Sequence, residues 1–230
     1  MTKPIAVFDL DGTLVDTAPD LLDSLNHCLS VAGLDQVDRT ALRRFVGMGG
    51  RVMIERAFEA QRHPLASGKL DELVSIFLEH YSANIPGRSS LFPGVLASMD
   101  RLANAGYLLA VCTNKFEGLS VKLITALGEE SRFAAICGSD TFAFRKPDPR
   151  HLTETIAKAG GDPERAIMVG DSRTDIDTAK AAGIPVVAVD FGYTDLPVHT
   201  FDPSRVISHF DELTVELTEN LIAAARSEIA

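Results

Sequence analysis

The chain has 230 residues, 46% of them hydrophobic and 23% charged, the composition of a globular protein long enough for a full core and a smaller second unit. Its formal net charge is −10, with 22 Lys and Arg against 32 Asp and Glu, which argues against a surface that tracks nucleic-acid phosphates. No apolar run reaches the length of a membrane span and the apolar stretch after Met1 is too short for a signal peptide, so a cytoplasmic protein with neither membrane nor nucleic-acid partners is expected.

Short apolar runs alternate with helix-period segments along most of the chain, the pattern of a parallel sheet with crossover helices. Strands are expected at residues 5–8, 108–112, 134–137, 166–169 and 186–189, and helices at 116–127, 149–159 and 174–182. Gly128, Gly160 and Gly183 are placed to end those helices. The resulting fold class is α/β, a doubly wound, Rossmann-like parallel sheet. Residues 17–81 break the alternation. They carry helical periodicity in Leu21, Leu22, Leu25 and Leu29, again in Val52, Met53, Ala57 and Phe58, and a third time across residues 70–81. Several helices directly after the first strand exceed a simple crossover, so an inserted α-helical cap is expected at 17–85, with the core formed by 1–16 and 86–230. Residues 210–230 read as an acidic amphipathic helix against the core.

Cys112 and Cys137 lie in apolar runs and read as buried hydrophobes; no pair among Cys28, Cys112 and Cys137 has metal-ligand spacing. The six histidines form no HxH or HxxxH pattern, and none is assigned to a metal.

In open α/β sheets, ligands bind outside the carboxyl ends of the strands. The first strand runs into Asp9-Leu10-Asp11-Gly12-Thr13, and the second into Thr113-Asn114-Lys115. Arg145-Lys146-Pro147-Asp148-Pro149 follows the third, and Gly170-Asp171-Ser172, with Asp175, follows the fourth. Each residue alone has an ordinary reading: a turn for Asp9 or Thr113, a solvated lysine for Lys146, a first-turn helix acid for Asp175. Their occurrence at successive strand ends overturns those readings. Crowded carboxylates need a positive charge, and a hard, oxygen-liganded divalent cation such as Mg²⁺ suits Asp9 and Asp171.

These motifs resemble, in order and over nearly the whole chain, the four motifs of the haloacid dehalogenase superfamily. The resemblance implies that Asp9 is a nucleophile that becomes phosphorylated. It implies that Asp11 protonates the leaving oxygen and then activates water. Asp9, Asp171 and the backbone carbonyl of Asp11 are implied as Mg²⁺ ligands, Thr113 and Lys146 as the holders of the phosphoryl oxygens, and Asp175 and Asn114 as their supports. Dehalogenases lack the second aspartate because a halide leaves without a proton, so Asp11 favours phosphate ester hydrolysis.

The cap is expected to set specificity. Val46-Gly47-Met48-Gly49 followed by Glu55-Arg56-Ala57 is similar to a segment of bacterial phosphoglycolate phosphatases, as are Pro93-Gly94-Val95 and Gly192-Tyr193. This implies a small phosphorylated metabolite as partner. Gly47 and Gly49, with Arg44 and Arg51 flanking them, are candidates for its carboxylate, since arginine pairs bidentately with such groups. Arg51 stands where the subfamily is expected to have a smaller residue. Other readings are a phosphatase acting on sugar phosphates, nucleotides or pyrophosphate, a phosphomutase, which Thr13 disfavours, and a non-enzymatic binding protein. The chain is expected to be a monomer or homodimer.

Overall fold

The computed structural model describes residues 2–38, 46–47, 49–66 and 68–229. A six-stranded, wholly parallel sheet has the order β5-β4-β1-β6-β7-β8. Its strands are β1 (Lys3–Phe8), β4 (Leu108–Cys112), β5 (Ala135–Cys137), β6 (Gly161–Gly170), β7 (Val186–Val189) and β8 (Arg205–Ile207). Two short strands, β2 (Val15–Asp16) and β3 (Ser90–Leu91), pair antiparallel as a separate ribbon. Among the described residues the helices are α1 (Ala18–Val31), α2 (Gly50–Ala60), α3 (Lys69–Asn84), α4 (Val95–Asn104), α5 (Glu117–Ala126), α6 (Pro149–Ala159), α7 (Arg173–Ala181) and α8 (Val215–Ile229).

The α/β class expected from the sequence is the observed one. Strand residues alternate between the two faces of the sheet. Ala6 and Phe8 join a cluster with Met99, Leu102, Leu123 and Phe210, while Ile5 and Val7 join another with Leu152, Ile156 and Ile176. Both faces are covered, which is why these strands read as continuous apolar runs rather than as alternating ones. All three cysteines are buried and unbridged. Strand β6 begins five residues before the expected run, because its pairing with β1 already starts at Lys3 and Gly161. Helix α4 and strand β8 were not expected. The C-terminal helix starts at Val215 rather than at 210, with Phe210 in a short 3₁₀ turn and buried in the core.

Helices α1, α2 and α3 build a third apolar cluster of their own around Leu25, Leu29, Met53, Leu73 and Phe77. The chain leaves the sheet for these helices through β2 and returns through β3, so the ribbon carries both crossings. Buried Asp20 at the start of α1 ties the return segment down, accepting from the amides of Arg88 and Ser89 at 2.8 Å each and from Ser89 Oγ at 2.5 Å.

Candidate active site

β1 lies between β4 and β6, where the chain reverses its direction of travel across the sheet, and Asp9 follows its last residue. Phe8 is level with Val111 of β4 and Val169 of β6. Parallel register therefore brings Asp9, Thr113 and Asp171 to the same rim, with neighbouring strands about 4.8 Å apart. All three are buried.

The tertiary structure adds Lys146. Its Nζ lies 2.8 Å from Asp9 Oδ1 and 2.5 Å from Asp175 Oδ1, and its side chain is only 3% exposed. A lysine so deeply buried is tolerable only because it is paired twice. Burial pulls its pKa down, but Asp175 and Asp9 more than offset this and hold it raised. The Lys146 backbone is fixed at both polar atoms. Asn114 Nδ2 donates to its carbonyl at 3.0 Å, and its amide donates to His151 Nδ1 at 3.2 Å. With Nδ1 thus an acceptor, His151 Nε2 carries the proton and donates to the Gly138 carbonyl at 3.0 Å.

Asp175 is at once a helix cap and a partner of Lys146. Its Oδ2 accepts from Ser172 N at 3.1 Å and Ser172 Oγ at 2.6 Å, closing a capping box at the start of α7, while Oδ1 meets the lysine. Asp171 Oδ2 accepts from the amide of Tyr193 at 2.6 Å, and Oδ1 from Thr13 Oγ1 at 3.3 Å. Glycines keep the space around it open. A Cβ on Gly12, at φ +87°, would stand 2.4 Å from Asp171 Oδ2, and one on Gly192 would stand 2.2 Å from Asp171 Cβ. Asp11 turns to a different cation, its two oxygens 2.9 and 3.0 Å from Lys115 Nζ.

Carboxylate oxygens of Asp9, Asp171 and Asp175 lie within 4.8 Å of one another, all buried. Burial pushes Asp9 up to about 6, with Lys146 opposing and Asp175 and Asp11 adding to the rise. Burial, then the charges of Asp9 and Asp175, raise Asp171 well above the ordinary carboxylate range. One lysine thus faces three buried carboxylates. The donor set is all oxygen and short of positive charge, which fits a hard divalent cation.

The cap candidates are more scattered. Arg51 pairs with Asp71 of α3 at 2.5 Å on an exposed surface, rather than with any group of the rim. Gly47 lies against Tyr193, whose carbonyl would be 3.3 Å from a Cβ there, and Gly49 caps α2, a Cβ there meeting nothing within 4 Å among the described residues. Arg44 lies outside the described residues. Sequence reasoning gave no role to Lys115, Tyr81, Tyr193 or His151, since no spacing rule links residues so far apart in the chain.

A doubly wound sheet with these acids paired to Lys146 and Lys115 at its carboxyl rim defines a class of hydrolase. The chain belongs to the haloacid dehalogenase-like hydrolase family, whose model matches residues 6–189. Among its relatives, a phosphoglycolate phosphatase of Mesorhizobium japonicum is 67% identical over 225 residues, covering 98% of this chain and 99% of that one. Another of that name, from Agrobacterium fabrum, is 51% identical over 221 residues, or 96% and 95% of the two chains. A crystal structure described as a predicted phosphoglycolate phosphatase from Haemophilus somnus superposes with TM-score 0.86 at 30% identity, over 95% of this chain and 99% of that one.

Proposed function

We propose that the protein is a Mg²⁺-dependent phosphatase that converts 2-phosphoglycolate to glycolate and phosphate through an aspartyl phosphate on Asp9. The observation that carries this reading is the Asp9–Lys146–Asp175 chain of contacts beside Asp171, with Asp11 two residues beyond Asp9. The names of the relatives support the choice of ester.

Asp9, Asp171 and the backbone carbonyl of Asp11 would hold the cation, with both oxygens of Asp175 already committed to Lys146 and Ser172. When bound, Mg²⁺ supplies positive charge to the phosphoryl oxygens and offsets the crowded carboxylates. An Asp9 carboxylate oxygen forms the new bond to phosphorus as the ester P–O bond breaks. Asp11 gives its proton to the departing glycolate oxygen, then takes one from the water that hydrolyses the aspartyl phosphate, so the proton balance closes over one turnover. Lys146 and Thr113 hold the phosphoryl oxygens, whose charge is greatest in the transition state. Residues 17–85 act as a cap over a core of 1–16 and 86–230, and the reaction takes place in the cytoplasm. The described residues contain no helix long and apolar enough to cross a membrane.

Phosphate release with Mg²⁺ from phosphoglycolate, glucose 1-phosphate and pyrophosphate tests the reading. Phosphoglycolate is expected to give the highest kcat/KM. A higher value for either other compound would redirect the substrate assignment, and isomerised product with little free phosphate would indicate a mutase.

A further inference from the structure

Lys115 is a buried cation that the mechanism above leaves unused. It stands two residues beyond Thr113, with its side chain 6% exposed, and its ammonium bridges two elements of the fold. On one side it pairs with both oxygens of Asp11; on the other it lies 4.4 Å from the ring centroid of Tyr81, which belongs to α3. The Tyr81 hydroxyl is buried and has no hydrogen-bond partner among the described residues. It lies within the fields of both Lys115 and Asp11, which act in opposite senses on its ionisation.

We propose that Lys115 is the specificity-determining residue that receives the substrate's own carboxylate, exchanging its Asp11 partner for it and so releasing the Asp11 carboxylate to take up a proton from solvent water and turn toward the ester oxygen. This rests on the reading of Asp11 and the substrate given above. In phosphoglycolate a single carbon separates the ester oxygen from the carboxylate. The group that serves the ester oxygen and the cation that binds the carboxylate must then be neighbours, and Asp11 and Lys115 are 2.9 Å apart.

Charge bookkeeping favours the exchange. Asp11 is the only carboxylate paired with Lys115 among the described residues, and a buried lysine that loses such a partner is strongly disfavoured, so Asp11 is released readily only when another carboxylate takes its place. An anionic substrate makes that replacement one for one, whereas a neutral ester leaves Lys115 clamped on Asp11. The Tyr81 hydroxyl offers a second donor beside the same ammonium, and it comes from α3, so the carboxylate would be read jointly by both parts of the molecule. A longer phosphate ester, with its second polar group several bonds away, cannot reach Lys115 while presenting its ester oxygen to Asp11.

The test compares phosphoglycolate with 2-hydroxyethyl phosphate, in which a neutral alcohol replaces the carboxylate, in the wild type, Lys115→Gln and Lys115→Arg. Glutamine keeps a hydrogen bond for Asp11 and removes the charge; circular dichroism and melting confirm its fold, and p-nitrophenyl phosphate, whose leaving group needs no proton, confirms that the phosphoryl site still works. The wild type is expected to prefer phosphoglycolate by about 100-fold in kcat/KM. In Lys115→Gln that preference collapses toward unity, with KM for phosphoglycolate rising most and kcat/KM for the neutral ester rising as Asp11 is freed from its clamp, and Lys115→Arg restores part of the preference. Retention of the preference in Lys115→Gln, or an equal loss on both esters, overturns the role of Lys115 while leaving the phosphatase reading intact. Absence of any preference in the wild type overturns the substrate reading and this inference together.

Discussion

Tyr193 holds Asp171 through its backbone amide, at 2.6 Å, while its side chain reaches away from the rim into the helical cluster. There its hydroxyl donates to Asp16 Oδ1 at 2.5 Å and accepts from the Ala18 amide at 2.9 Å, spanning β2 and the start of α1. A single residue therefore links an acid of the candidate metal site to the crossing between sheet and helices.

Tyr193→Phe separates these two contacts. It keeps the amide and the ring and removes the hydroxyl from a buried network. A loss of about 1–2 kcal/mol is expected, seen as a fall in Tm of several degrees. The Mg²⁺ concentration for half-maximal activity should stay unchanged because the Asp171 contact is made by backbone. An unchanged Tm would show that the hydroxyl does not hold the crossing together.

Asp9→Asn should reduce Mg²⁺-dependent phosphate release to background, a loss on the order of 10⁴-fold. Burial disfavours the Asp9 charge while buried Lys146 loses a charged partner, and the isosteric amide can still accept from that lysine, so the fold should stay intact with Tm near the wild-type value. Activity within tenfold of wild type would remove Asp9 as the nucleophile.

Mg²⁺ should stabilise the fold in proportion to its binding, by about 2.7 kcal/mol at 100 times its Kd. Asp171→Asn, which can still accept from Tyr193, should abolish most of that gain. Calorimetric melts with and without Mg²⁺ read it directly, and an equal Mg²⁺ shift in the variant would place the cation elsewhere.

His151 predicts an acid-side loss of stability. Burial, with the Lys146 charge adding to it, lowers its pKa to about 4, against about 6.5 in an unfolded chain. Between those values the unfolded chain binds a proton that the folded one does not, so stability rises with pH from about 4 to 6.5 and falls as the solution is acidified. By pH 5 the deficit from this group is about 2 kcal/mol. Asp9, raised to about 6, acts in the opposite direction, so the comparison must be made against His151→Gln. Urea unfolding at pH 7 and pH 5 should show a smaller acid loss in the variant. The same loss in both proteins would mean that His151 is not the group responsible.

The sequence alone located five of the six strands of the sheet and the acids expected at its rim. Apolar runs such as 108–112 and 186–189 coincide with β4 and β7, because strands buried on both faces have no alternative but continuous hydrophobicity. Asp9, Thr113 and Asp171 could be placed at one rim because the carboxyl ends of parallel strands share an edge. Strand β8 and the β2–β3 ribbon escaped notice, being two or three residues long and held by pairing rather than by pattern. Only the tertiary structure decided which cation meets which acid: Lys146 with Asp9 and Asp175, Lys115 with Asp11. Those partners lie 137, 29 and 104 residues apart in the chain. Ion pairing depends on distance through space, and no local periodicity encodes a contact between loops that only the closed sheet brings together.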